Sequence, residues 1–127
     1  MPKSYYFDNA VLNAALLNVA YPTPTSVWVA LYTTSPDPTG GGSEVSGGGY
    51  LRIQATFVTP ADGAVSNTAD ITYPVATSAW GTITSFAILD APTAGNILYY
   101  GTLSASRIVQ QNDQIKFPLG QLTVTES

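Results

Sequence analysis

The chain opens with the apolar spacing of a helix and then changes to the alternation of strands. Residues 4–19 place apolar side chains at three- and four-residue intervals, which puts them on one helix face. Ser4 can cap the start, and Asp8 suits the first turn, where the helix dipole favours negative charge. The prolines of "YPTPT" end the pattern. The sequence therefore predicts one helix over 4–19, whose apolar stripe comprises Phe7, Val11, Leu12, Ala15, Leu16 and Val19.

From residue 26 onward the pattern is that of short strands separated by turns. Segment 26–33 is apolar on both faces, which predicts a central strand, whereas 50–57 alternates apolar and polar residues as a half-buried strand does. Further strands are predicted at 71–74, 82–89, 97–104, 108–117 (with a turn near Asn112 and Asp113) and 121–125. No helical pattern separates them. We therefore expect a single mainly β domain over 1–127, an antiparallel β-sandwich or barrel of about seven or more strands with one N-terminal α-helix.

Two triple-glycine runs lie in segment 34–49, a Gly/Pro-rich stretch predicted to be a flexible loop. A phosphate-binding Walker loop needs a lysine after its last glycine, but Gly49 is followed by Tyr50. A dinucleotide-binding loop opens a helix, whereas this run opens a strand. The glycines are therefore not interpreted as a phosphate site. Two interpretations stay open: a disordered surface loop, or a segment that becomes ordered against a neighbouring molecule.

Charge is scarce, since Asp, Glu, Lys and Arg make up 9% of the residues and the net charge is −4. A weakly charged surface favours association, although an ordinary β domain with a neutral surface fits equally well. The four basic residues are scattered, which argues against nucleic-acid binding. No run is long and apolar enough for a membrane span. The absence of cysteine is compatible with synthesis in a reducing cytoplasm.

The sequence also lacks the usual side chains of catalysis. Histidine is absent, which removes the commonest general base and metal ligand. The acidic residues fall mostly in predicted turns, where aspartate bonds its own backbone; they are Asp8, Asp37, Glu44, Asp62, Asp70, Asp90, Asp113 and Glu126. A glycan hydrolase would need two carboxylates within roughly 5–10 Å, and this enzymatic alternative stays open. We expect no enzyme activity, no cofactor and no bound metal.

Four stretches carry a resemblance to a known family: "SVWVALYTTSPDP" (26–38), "SEVSGGGYLR" (43–52), the long run from Tyr73 to Leu103, and "NDQIKFPLGQLTVT" (112–125). Together they make the chain similar to small virion structural proteins of tailed bacteriophages, often labelled tail fibre proteins. The likeness spans nearly the whole chain. It implies a non-enzymatic component of the particle.

Because the domain is small, neutral and free of repeats, the leading expectation is a capsid decoration (cement) protein on the outside of the phage head. Its partners would be the major capsid protein and further copies of itself, as a homotrimer, without nucleic acid or membrane. The alternative is a tail-fibre or baseplate component that contacts the host surface, with glycan binding through exposed aromatic rings. The candidate interface residues are Tyr5, Tyr6, Gly40, Gly41, Gly42, Glu44, Gly47, Gly48, Gly49, Tyr50 and Tyr100.

Overall fold

In the computed structural model, which describes residues 2–125, one helix is followed by nine strands. The helix is α1 (Tyr5–Leu16). The strands are β1 (Val27–Thr34), β2 (Ser43–Glu44), β3 (Ile53–Ala55), β4 (Ala64–Ser66), β5 (Ile71–Thr72), β6 (Gly81–Leu89), β7 (Ile97–Val109), β8 (Lys116–Phe117) and β9 (Thr123–Thr125). The prediction of a mainly β, antiparallel fold with one N-terminal helix is confirmed.

Helix α1 begins where the sequence places it and ends earlier than predicted. The Ser4 hydroxyl accepts a hydrogen bond from the Phe7 N–H at 3.2 Å, which confirms the cap. At the other end Asn18 has a left-handed backbone (φ 57°), so the helix stops at Leu16 instead of reaching Val19. None of the α1 residues is buried. No helix in residues 2–125 has the length and apolar character needed to cross a bilayer.

Strand β1 is the centre of the main sheet, as its two apolar faces predict. It pairs with β6 on one side, and with both β2 and β3 on the other, and β7 follows β6 at the edge. All of these pairings are antiparallel. Four consecutive β1 residues, from Val29 to Tyr32, are buried. Burial on both faces explains why this segment shows no alternation of apolar and polar positions.

The second layer consists of two ribbons, β4 with β9 and β5 with β8. Their inward residues Ile71 and Val124 share a core cluster with Val29, Leu31 and Ile83 of the main sheet. On the opposite face of the main sheet a smaller cluster of buried residues comprises Ala30, Tyr32, Ala87, Leu89 and Ile97. The described residues therefore form an open, layered arrangement and not the closed barrel that the sequence left possible.

Strand β7 differs most from its prediction. The sequence predicts separate strands at 97–104 and 108–117, but the chain continues as one strand to Val109. A large irregularity lies where the break was expected. Ile83 pairs with Arg107 and Ser85 with Thr102, so residues 103–106 stand opposite Thr84 alone. This β-bulge turns part of β7 away from the regular ladder.

Candidate functional site

Three of the predicted interface residues meet on one surface. Tyr5, Tyr6 and Gly40 line a cleft of about 430 Å³ together with Pro38 and Thr39. We call these five residues the helix–loop surface. Tyr100 lies close by, half-buried against the smaller core cluster. The first turn of α1 and the first glycine run, which are distant in sequence, therefore form one surface.

Backbone hydrogen bonds hold the two parts of this surface together. The Tyr5 N–H donates to the Pro38 carbonyl at 2.8 Å, and the Ser4 N–H donates to the Leu98 carbonyl at 3.2 Å. The Ser4 hydroxyl also donates to the carbonyl of Ile97. These bonds fix the start of α1 against both the loop and β7. Buried Ser4 thus positions the exposed tyrosines that follow it.

Asp37 shapes the loop side of the surface. Its Oδ1 accepts hydrogen bonds from the backbone N–H groups of Thr39 and Gly41, both at 2.9 Å. The hydrogen bond from the Thr39 hydroxyl, followed by that from Gly41, lowers the pKa of the Asp37 carboxyl. Asp37 is therefore a turn-forming residue, as expected for aspartates in this chain.

The exposed face of α1 extends the helix–loop surface with apolar side chains. Tyr5, Leu12 and Leu16 follow one another at intervals of seven and four residues, so they lie along one side of the helix. Their exposed fractions are 57%, 54% and 73%, and Leu17 and Val19 beyond the helix end are also exposed. We call Leu12, Leu16, Leu17 and Val19 the apolar helix face. Exposed apolar side chains grouped at one end of a helix are typical of a protein contact.

The predicted interface residues Glu44 and Tyr50 belong to a second, half-buried arrangement, which lines a surface cleft together with Gly47. Arg52 donates from Nε to Glu44 Oε2 at 2.8 Å and from Nη2 to Oε1 at 2.9 Å, a bidentate ion pair. The Tyr50 hydroxyl donates to Glu44 Oε2 at 2.7 Å. Arg52 Nη1 also donates to the carbonyls of Ala91 and Ala94. The ion pair therefore ties β2 to the start of β3 and to the turn after β6.

The second glycine run is packed against the core. The Gly48 carbonyl accepts hydrogen bonds from the Trp80 ring N–H and the Thr77 N–H, both at 2.9 Å. The Trp80 ring in turn meets Tyr50 edge-on, with ring centroids 5.5 Å apart. Gly47 and Gly49 flank this contact with left-handed backbones. Segment 34–49, predicted as a flexible loop, therefore contains strand β2 and a glycine turn fixed on a tryptophan.

The first glycine run is divided between the two arrangements. Gly40 borders the helix–loop cleft, and Gly41 donates to Asp37. Gly42 has a φ of 98°, and a Cβ there would lie 2.8 Å from the Thr34 carbonyl oxygen. The backbone at Gly42 thus returns close to the end of β1, where β2 begins.

Comparison with known proteins places the chain in a phage family. A family model described as "Podophage GP4 fiber I protein gp80" matches residues 2–125. The chain belongs to this family. The match confirms the resemblance to virion structural proteins labelled as fibre proteins, so the chain is a structural protein of a phage particle. No curated protein matches it.

The acidic residues of this fibre-family protein lie mainly in turns. Asp90 accepts a hydrogen bond from the Asn96 N–H at 2.7 Å, and Asp113 accepts one from the Gln110 N–H at 2.9 Å. Within residues 2–125 there is no group of three or more acidic residues that could hold a metal ion. Glu126, the remaining acid considered above, lies outside the described residues.

Sequence reasoning missed a groove on this fibre-family protein between β7 and the segment 116–123. Arg107 and Lys116 both line it, and its volume is about 600 Å³. The two side chains are nine positions apart on different strands, so only the tertiary fold brings them to one groove. The one sequence signal that pointed to this groove was the break predicted between residues 104 and 108, where the structure has the bulge in β7.

The partly buried ion pair between Glu44 and Arg52 predicts how stability depends on pH. Burial alone would raise the pKa of Glu44, but the hydrogen bonds from Arg52 and Tyr50 outweigh it and leave the pKa below the ordinary value of 4.5. Stabilisation by Glu44 is therefore complete above about pH 4.5 and is lost as the pH falls through the lower, folded-state pKa. Between pH 5 and 8 little change is expected, because the chain has no histidine.

Thermal unfolding followed by circular dichroism from pH 2.5 to 8 checks this prediction. The melting temperature should stay level above pH 5 and fall below pH 4.5. In Glu44→Ala the fall should be smaller than in the wild type. A wild-type melting temperature that rises on acidification would contradict it.

Proposed function

We propose that the chain is a fibre component of the virion, joined to neighbouring subunits through the helix–loop surface and the apolar helix face. The family description, which names a fibre protein, supports the fibre position. The observation that carries the contact is the exposure of the apolar helix face on a helix without buried residues. Exposed leucines gain free energy when another protein covers them, at roughly 25 cal/mol per Å² of apolar area.

Sparse charge supports a protein contact on this side of the molecule. Burying an unpaired ion costs several kcal/mol, whereas Leu12, Leu16 and Leu17 carry no such penalty. Tyr5 and Tyr6 at the margin add aromatic rings with a polar end, which suit interfaces. The partners we propose are further copies of this chain, with a trimer as the stoichiometry to test, and an adjoining virion protein. Catalysis forms no part of this proposal.

Capsid decoration is the second candidate, with the major capsid protein as partner on the exterior of the head. The observation that favours it is the absence of internal repeats within these 127 residues, whereas fibres are commonly repetitive. Electron cryomicroscopy of particles carrying a tagged copy separates the two positions. Density on the tail or its fibres supports the first candidate, and density distributed over the head lattice replaces it with the second.

The triple variant Leu12→Ser, Leu16→Ser and Leu17→Ser is expected to fold but to lose incorporation into particles. Exposed positions away from the core usually change stability by about 0.5 kcal/mol or less each, and at the C-cap Leu17 the capping hydrogen bond comes from the backbone N–H, which serine keeps. The contact surface, in contrast, loses its apolar area. Incorporation is measured by complementing a phage that lacks the gene, and self-association by light scattering.

Leu119→Ser is the matched control, since Leu119 is also exposed (61%) but lies outside the apolar helix face. The control should assemble like the wild type. If the triple variant is folded, associates and enters particles as well as the control does, the apolar helix face is not the contact.

A further inference from the structure

The groove between β7 and segment 116–123 combines an apolar interior with a polar rim. Phe86 and Leu122, both buried, and the half-buried Leu103 and Phe117 contribute its apolar part. Hydroxyl and amide groups from Thr102, Ser104, Thr123 and Gln121 surround them. A volume of about 600 Å³ is within the usual range for small-ligand sites.

The architecture of the main sheet leaves this groove uncovered. β7 is the edge strand, and residues 2–4 cover only its beginning: the Tyr100 N–H donates to the Pro2 carbonyl at 3.1 Å, and Lys3 pairs with Tyr99. Farther along, the bulge at 103–106 departs from the regular strand. A bulge at an edge discourages the addition of another strand, because it disrupts the row of backbone donors and acceptors. The exposed side chains, and not the backbone ladder, are therefore available for recognition.

Two of the chain's four cations line this groove. Arg52 is committed to Glu44 and two carbonyls. The Arg107 side chain, by contrast, is exposed and makes no hydrogen bond or ion pair within residues 2–125, although its backbone pairs with Ile83. Lys116 faces Asp70 at 3.7 Å, but both side chains are 51% exposed, and such pairs contribute little. Both cations can therefore accept an anionic ligand.

We propose that this groove binds an acidic oligosaccharide, with sugar carboxylates at Arg107 and Lys116. The hydroxyl and amide side chains match sugar hydroxyls, and Phe117 and Leu103 can pack against the apolar faces of the rings. Two separate cations among neutral polar groups suit an oligosaccharide, whose sugar rings are uncharged apart from carboxylates at intervals along the chain. Nucleic acid would need a longer run of cations to follow its phosphates. The proposal deepens the proposed fibre role, on which its biological meaning, contact with a host-surface glycan, rests.

Titration calorimetry with the purified full chain at low salt tests the site directly. The probes are tetragalacturonate and sialyllactose, with maltotetraose as the neutral sugar and polyglutamate and oligo-dT as other polyanions. We expect binding of at least one acidic sugar, no binding of maltotetraose, and weaker binding of the other polyanions. Arg107→Gln should weaken the binding of the acidic sugar about tenfold, because a charge-assisted hydrogen bond is lost. The double variant with Lys116→Gln should abolish binding.

Asn18→Asp is the matched control, since it also lowers the net charge by one, is exposed and lies outside the groove. It should bind like the wild type. Amide shifts of Thr102, Ser104 and Gln121 in the wild-type NMR spectrum locate the site even if a groove variant unfolds. Binding of neither acidic sugar, equal binding of maltotetraose or of another polyanion, or shifts elsewhere would overturn the proposal. Because the assay uses no virions, its failure is distinguishable from an error about the chain's position on the particle.

Discussion

Replacing Glu44 with alanine is expected to lower the free energy of unfolding by about 2–3 kcal/mol, because hydrogen bonds to a charged group are lost from an ion pair that is only partly buried. The Arg52 side chain is only 9% exposed, and Glu44 is 25% exposed. Without the carboxylate, Arg52 keeps its bonds to the carbonyls of Ala91 and Ala94 but loses its counter-charge. The Tyr50 hydroxyl also loses its acceptor. Urea unfolding followed by tryptophan fluorescence measures the change.

The exposed pair between Asp70 and Lys116 provides the matched control. Lys116→Ala removes an ion pair whose partners are half-exposed, so a change of about 1 kcal/mol or less is expected. Replacing both Glu44 and Arg52 with leucine should cost less than Glu44→Ala, because no buried charge is left unpaired. If Glu44→Ala costs no more than Lys116→Ala, the pair between Glu44 and Arg52 does not hold β2 in place.

The parts of the fold that sequence predicted well depend on local patterns. The cap at Ser4 and the apolar run of β1 are local signals. The capped helix and the strand buried on both faces were found as expected. The helix end was misplaced because a left-handed residue at Asn18, which no periodicity reveals, terminates α1. Side-chain spacing thus identified the elements better than their boundaries.

The candidate surfaces were harder to predict because they depend on long-range pairing. The start of α1 is placed beside Pro38 by backbone hydrogen bonds from Tyr5 to Pro38 and from Ser4 to Leu98, residues far away in the sequence. Arg52 finds acceptors at Ala91 and Ala94, about forty positions away, through the arrangement of β1, β3 and β6. Composition predicted an association-prone surface but not which residues would form it. Which residues share a surface depends on the pairing of the strands, which the sequence pattern does not predict.

The glycine runs show the same limit in a single segment. Their local pattern predicts conformational flexibility, and glycine does permit the left-handed backbones at 47–49. The pattern does not reveal that Trp80, some thirty positions later, donates a hydrogen bond to the Gly48 carbonyl. Shortening the whole of 39–49 would therefore remove buried Val45 and the Glu44 ion pair along with the loop. Changes limited to Gly40 test the helix–loop surface without disturbing the core.

Replacing Gly48 with alanine is expected to destabilise the protein by about 3 kcal/mol. A left-handed backbone costs a residue with a Cβ about 1–2 kcal/mol, and Gly48 has a φ of 61°. The added Cβ would also lie 2.8 Å from Cδ1 and Nε1 of the Trp80 ring and from the Ser78 hydroxyl. Overpacking of this kind costs about 1–3 kcal/mol. The ring cannot retreat freely, because its N–H is bonded to the Gly48 carbonyl and Tyr50 packs against it.

Gly47→Ala separates the two contributions, because Gly47 also has a left-handed backbone (φ 76°) but has nothing within 4 Å of an added Cβ. It should show the backbone cost alone, about 1–2 kcal/mol. The difference between the two variants in urea unfolding then measures the contact with Trp80, and the Trp80 fluorescence should change only in Gly48→Ala. Equal losses in both variants would mean that the ring yields to the extra carbon and that Trp80 does not fix the glycine turn. A larger loss at Gly48 would establish that the glycine run is built for close approach to an aromatic ring.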